Sequence, residues 1–304
     1  MGSNPVRVTR TSEPPLCGRL FLIEGGERLS GEYNSRLAVR RTVLARNADW
    51  MRDYMKSFYN EDEEIQHAML LKEAHTGRVQ NIIRDLAVHL RLSDEDVALA
   101  ELMGLLHDIG RFRQFTVYRT FKDHLSEDHA SAGLKLMEEH QLLEGLLPWE
   151  QSLVRFAVKW HNKKFIGPAP DACHLGYAKM LRDADKLDIY HVLEPFLPSE
   201  DGSGVSPNFI EKFVEGVQCD YTMVGTEDDK KLVRLMWAYD IYFSWTLQHI
   251  EERGYLEKLI HCLPKGEKVD QGVARLRGYV QKKLAAKDDA GFQSSHECEN
   301  IEEK

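Results

Sequence analysis

The chain is 304 residues long, enough for one large domain or two small ones, and with 42% hydrophobic residues it can bury a sizeable core. Its 40 basic and 49 acidic side chains leave a net charge of −9, which argues against a dedicated nucleic-acid binder, since such proteins carry a basic excess. No apolar run approaches the roughly 20 residues of a membrane span, whereas a small anionic substrate stays open because a metal can supply local positive charge.

Residues 1–36, rich in Pro, Gly and Ser, predict an irregular arm with a small strand pair around "RLFLIEGGERLSGEY". Their apolar block "LFLI" is too short for a secretory signal, and Val6 stands where myristoylation requires Ser or Thr. The five cysteines are scattered without a close pair, which predicts reduced thiols in a cytoplasmic protein.

From Leu37 the apolar residues recur at helical spacing. Ala68, Leu71, His75, Val79, Ile82 and Leu86 share one helix face. "SDEDVALAELMGLLHDIG" predicts a helix capped by Ser93 and stopped at Gly110, with Leu99, Leu102, Met103 and Leu106 on its apolar face. Further helices are predicted from Ser126, from Pro148, where a missing N–H costs least, and along "GYAKMLRDADKLDIY". "DDKKLVRLMWAYDIYFSWTLQHIEERG" predicts one long helix ending at Gly254, its aromatic run serving the core rather than a stacking platform. No strand series appears over 37–285, so one all-α domain fills that span, and the polar residues 286–304 predict a disordered tail.

Among the 13 histidines, most sit in ordinary surface patterns. Five positions differ, because a polar side chain is aimed at the core from the end or middle of an amphipathic helix. These are His75, the pair His107 and Asp108, His129, His161 behind Val154, Ala157 and Val158, and Asp185 behind Leu181 and Tyr177. Unpaired charge in apolar surroundings is costly, so a shared partner is expected. Imidazole with carboxylate suits Fe, Mn, Zn, Co or Ni rather than the all-oxygen shells of Ca or Mg. Six ligands exceed the four of a structural zinc and predict two divalent transition-metal ions with open positions for water or substrate.

The ordered segments "EAHTGRVQNIIRDLA", "LLHDIGR", "DHASAGLKLM" and "RDADKLD", with His161 between the last two, resemble the metal signature of the HD-domain superfamily of metal-dependent phosphohydrolases over about residues 64–192. The resemblance implies an HD-domain helical bundle. It implies that His75, His107, Asp108 and Asp185 hold one metal, and that Asp108, His129 and His161 hold the second. It also favours His129 over the neighbouring His124, because Ala130 and Gly133 match the family helix, and Asp185 over the flanking Asp183 and Asp188. The full ligand set is similar to the binuclear branch, which includes cyclic-dinucleotide phosphodiesterases and a few di-iron oxygenases. Asn162 replaces a second His, and "IGPAP" replaces the Gly-Tyr-Pro segment of the HD-GYP phosphodiesterases, which argues against cyclic-di-GMP as substrate. No "ED" pair follows the doublet as in ppGpp hydrolases.

The expectation is therefore a hydrolase that cleaves a phosphoester, a nucleotide first among them, with a metal-activated water. Asp108 and Arg111 are the catalytic candidates, and Arg111, Lys163 and Lys186 the substrate-binding ones. Arg78, one turn after His75, is expected in a salt bridge behind the ligands. Rivals are a di-iron oxygenase on the same ligands and a degenerate nucleotide-sensing module.

Overall fold

The computed structural model describes residues 26–196, 204–219 and 221–295. Two compact units divide the chain, residues 1–35 and 36–304, and both apolar cores and the site belong to the second. The described residues form helices and no strand: α1 (Gly26–Lys56), α2 (Glu63–His89), α3 (Asp94–Leu106), α4 (Gly110–Tyr118), α5 (His129–Glu139), α6 (Pro148–Trp160), α7 (Ala172–Leu193), α8 (Pro207–Glu215), α9 (Glu227–Met236), α10 (Ser244–Glu252), α11 (Tyr255–His261) and α12 (Glu267–Leu284). None is long and apolar enough to cross a membrane.

The helices begin where side chains satisfy their free N–H groups. Asp62 accepts from Ile65, Ser93 from Asp96, Asp128 from Ser131, Asp171 from His174 and Thr226 from Asp229. Of the predicted face of α2, Ala68, His75, Val79 and Leu86 are buried and Leu71 and Ile82 half-buried, the buried face turning toward Met69, Thr76 and Ile83, while α3 is buried all round.

Two apolar cores result. One gathers α1, α2, α3, α6 and the first half of α7, including Met51, Ile83, Leu102, Val154 and Leu181. The other gathers the end of α7 with the helices after it, including Leu187, Phe213, Leu232, Leu247 and Leu276. Helix α7 serves both, and Asp185 lies between Leu181 of the first core and Leu187 of the second.

Several local expectations are corrected. The helix α1 starts at Gly26, inside the predicted arm, so residues 26–33 form no strand; the rest of the predicted strand pair lies outside the described residues. Gly110 does not stop α3 but opens α4. A Cβ there would stand 2.3 Å from the His129 carbonyl oxygen, so the glycine permits close approach of two backbones. The third histidine's helix starts at His129 behind the Asp128 cap rather than at Ser126.

The predicted long helix is broken between Trp237 and Phe243 by a short 3-10 turn. Asp183 of α7 accepts the backbone N–H groups of Tyr242 and Phe243, both at 2.9 Å, and these bonds replace helical ones. Residues 286–295 pack instead of dangling: Ala290 and Phe292 are buried in the first core. Asp288 accepts from Ser244 and Trp245 at the start of α10, and Ser295 donates to the buried Asp96, which also accepts from Arg40 and Tyr177. Residues 296–304 lie outside the described residues. Cys173 is disulfide-bonded, which the expectation of reduced thiols misses, while Cys262 is a free thiol.

Candidate metal centre

The site forms where five helices point their ends or middles at one spot. His75 comes from the middle of α2, His107 and Asp108 from the turn between α3 and α4, His129 from the first residue of α5, His161 from the end of α6 and Asp185 from the middle of α7. The four histidines and Asp108 are buried. His124, the rival of His129, is exposed on a 3-10 turn. Asp183 has turned to the α9–α10 break, and Asp188 lies behind His75.

Asp108 divides the donors into two groups. His75 Nε2 and His107 Nε2 lie 3.4 and 3.6 Å from Asp108 Oδ2. Asp185 Oδ1 stands 3.2 Å from His75 Nε2 and 3.8 Å from His107 Nε2. On the other side, His129 Nε2 and His161 Nε2 lie 3.2 and 3.6 Å from Asp108 Oδ1. His75–His107–Asp108 and Asp108–His129–His161 are thus two groups that could each hold a metal ion.

The outward nitrogens decide the tautomers. His107 Nδ1 donates to the Gly104 carbonyl and His161 Nδ1 to the Val158 carbonyl. His75 Nδ1 faces Asp188 at 2.6 Å, and His129 Nδ1 faces both oxygens of Asp123 at 2.8 Å. All four Nε2 atoms then point inward, toward one another and toward Asp108. His75 and His107 bring theirs within 3.3 Å, and His129 and His161 within 3.0 Å. Facing lone pairs repel unless a cation sits between them. Donors about 2.1 Å from one ion stand roughly 3.0–3.4 Å apart, and the spacings here fit that demand. The donor chemistry fits a transition metal as well.

Charge tells the same story. Burial pushes His107 down to about 4 and lowers His161 as well, which keeps both imidazoles neutral, as a metal ligand must be. Burial and Lys72 oppose a charge on His75, but Asp108, Asp185 and Asp188 outweigh them and hold it at about 10. With no other cation present His75 therefore keeps a proton, and a metal ion bound among these carboxylates would take that proton's place. Asp108, although fully buried, stays well below the carboxylate range because Lys72, His107 and Arg111 surround it.

A second layer holds the donors in place, the usual arrangement behind metal-bound histidines. Arg78 grips Asp188 with Nε at 2.5 Å and Nη2 at 3.0 Å, as expected. Asp123 is held by Arg111, by Gln114 at 2.8 Å and by Asn162 at 2.9 Å. Lys72 donates to Asp108 Oδ2 at 2.7 Å.

Sequence reasoning missed Lys72, Gln114 and Asp123. Asp123 sits on a three-residue turn without periodicity, and its only signal was its place beside the noticed His124. Lys72 precedes His75 by three positions, on the same side of α2, and that spacing was the available clue.

A cavity of about 400 Å³ opens over the centre, lined by Lys72, Asp108, Arg111, Asp123, His129, His161 and Asp185 together with Lys163, Lys164 and Lys186. Three of its cations are engaged with carboxylates. Lys163 pairs with Asp128, Lys186 with Asp240 at 2.6 Å, and Arg111 with Asp123 at 3.1 Å. The other acidic groups near in sequence or in the site are taken elsewhere: Glu101 pairs with Arg41 and Asp185 faces His75. Arg111 Nε makes no hydrogen bond and lies 3.5 Å from Asp108 Oδ1.

The HD domain family model matches residues 72–190 of the chain. No curated protein and no solved structure matches it.

Proposed function

Residues 72–190 being an HD domain, we propose that the protein is a metal-dependent phosphohydrolase that cleaves a phosphoester of a nucleotide. One observation carries the reading. The two oxygens of a single buried carboxylate, Asp108, each face a separate pair of imidazole Nε2 atoms. His75, His107, Asp108 and Asp185 would hold one divalent ion of the Fe, Mn, Ni, Co or Zn class, and Asp108, His129 and His161 a second. Bound there, such ions acidify water and neutralise phosphoryl oxygens.

The chain's own groups do the rest. Asp188 and Asp123 fix the imidazoles so that only Nε2 faces inward. Lys72 pins Asp108 Oδ2 and leaves Oδ1 aimed at His129 and His161. Arg111 Nε is a buried donor in want of an acceptor at the cavity wall, and a phosphate oxygen supplies one. Lys163 and Lys186 line the same cavity and can exchange their carboxylate partners for a phosphate.

The test is elemental analysis of protein purified without chelator, followed by a phosphoester panel with each metal. Chelation is expected to abolish turnover and metal return to restore it. Asp108→Ala is expected to deplete both groups and to lower activity to background. Normal metal content and turnover in that variant would sink the mechanism. Dioxygen uptake by the iron-loaded protein without phosphate release would replace hydrolysis with oxygenase chemistry.

A further inference from the structure

A second, larger hollow of about 820 Å³ adjoins the metal cavity. The two share Lys164, Gln218, Cys219 and Asp240 as common walls. The character changes across that wall. The metal side is crowded with charge, whereas the far side presents Phe165, Phe209, Val217, Met223, Tyr239 and Tyr242. Phe165 is 69% exposed, Met223 60% and Val217 47%. Three large apolar side chains left open around one concavity mark a surface built for contact.

The chamber is made where the chain departs from the family match. Phe165 apart, the other five apolar walls follow residue 190, beyond the matched region of 72–190. Two local devices shape it. The break between α9 and α10, held by Asp183, turns Tyr239 and Tyr242 toward the hollow instead of winding them into one helix. Gly216, at φ 69°, ends α8 in the left-handed region and lets Gln218 and Cys219 run along the shared wall.

We propose that this chamber takes the base of a nucleotide whose phosphate sits at the metal centre. The assignment rests on the phosphohydrolase reading for the phosphate end but on its own geometry for the base. Flat rings on the walls suit a flat ring as ligand. The amides of Gln218 and Asn208 and the hydroxyl of Tyr239, which is buried and makes no hydrogen bond, offer donors and acceptors to a heteroaromatic edge. A hydrocarbon chain would leave those groups without partners, which costs binding. Lys164, whose Nζ lies 5.6 Å over the Phe165 ring, stands at the junction where the sugar–phosphate link would pass.

The test compares probes that differ only in the base. The four nucleosides and ribose are titrated against metal-loaded protein by calorimetry. The four 5′-mononucleotides and ribose 5-phosphate are compared in kcat/KM. At least one base is expected to improve binding and kcat/KM by about tenfold, the scale of one base–aromatic stack. Phe165→Ala and Met223→Ala, both at exposed positions whose loss spares the core, are expected to reduce that ratio several-fold. The proposal is overturned if no nucleoside binds more tightly than ribose, or if both variants keep the full ratio. Nucleoside binding without hydrolysis of any phosphoester would uphold the chamber and remove the phosphohydrolase reading. Hydrolysis indifferent to the base would do the reverse.

Discussion

At the scale of single residues, the centre is defined less by its ligands than by what stands behind them. Asp123 takes the Nδ1–H of His129 and is itself held by Arg111, Gln114 and Asn162. Burial opposes its charge, but His129 and Arg111 together keep its carboxyl far below the usual range. Asp123→Ala is expected to weaken metal binding at the Asp108–His129–His161 group by about 10–100-fold, the usual effect of removing such a partner. The group around His75 and His107, anchored separately by Asp188 and Gly104, keeps its affinity. A two-site metal titration separates the two, and equal affinities in variant and wild type would refute the role. Arg111 also proves more constrained than the sequence implied. Its Nη1 is committed to Asp123, Gln114 and the Phe121 carbonyl, so only the rest of its guanidinium is available to a substrate.

At the scale of elements, two packing devices place these residues. The first is the contact of α4 with α5 at Gly110. A Cβ at that position would meet backbone at 2.3 and 3.0 Å, from His129 and Gly133, and backbone yields little. Gly110→Ala is expected to cost about 1–3 kcal/mol and to displace His129, so thermal stability and metal content of the second group should fall together. Retention of both would show that α5 can slide. The second device is Asp183 at the α9–α10 break. Burial pushes its carboxyl from 3.8 up to about 7, against the pull of the Tyr242 and Phe243 N–H groups. Its folded value lies above its unfolded one, so the native state holds the extra proton between these values. Stability from this group is complete below pH ~4 and is lost as the pH rises through about 7. Asp183→Asn cannot titrate, so its deficit relative to wild type in urea unfolding should be larger at pH 5 than at pH 8. A deficit that grows with pH would reverse the sign and reject this account.

At the scale of the whole molecule, the last described residues close the structure rather than trail from it. Phe292 is 7% exposed and lies with its ring centroid 5.1 Å from that of Tyr177, while Asp288 caps α10. Phe292→Ala is expected to lower stability by about 3–5 kcal/mol, as for other buried aromatic truncations. A free tail would give no change, and differential scanning calorimetry decides between the two. The same scale explains why α7 matters most. It carries Tyr177 and Leu181 in one core, Leu187 and Tyr190 in the other, and Asp185 between them. Motion of one core against the other would therefore act on the candidate metal centre directly.

The sequence by itself determined the helices and singled out six candidate donors, because both leave periodic or local marks. An amphipathic face repeats every three or four residues, and a polar residue on such a face announces that something polar meets it inside. His75, His107, Asp108, His129, His161 and Asp185 stood out as candidates for that reason, with the family resemblance choosing His129 over His124 and Asp185 over Asp183 and Asp188, and the Ser93 cap and the Arg78 salt bridge were legible too. Only the tertiary structure decided what answers to distant atoms. The role of Gly110 depended on a carbonyl 19 positions away. The break between α9 and α10 depended on two N–H groups preferring the Asp183 carboxylate to a helical carbonyl. The docking of residues 286–295 depended on Asp96 and Tyr177, and the chamber beside the metal cavity on loops brought together from both sides of α7. These are contacts of high sequence separation, whose energies are set by burial and hydrogen-bond accounting in the folded chain, and no local pattern encodes them.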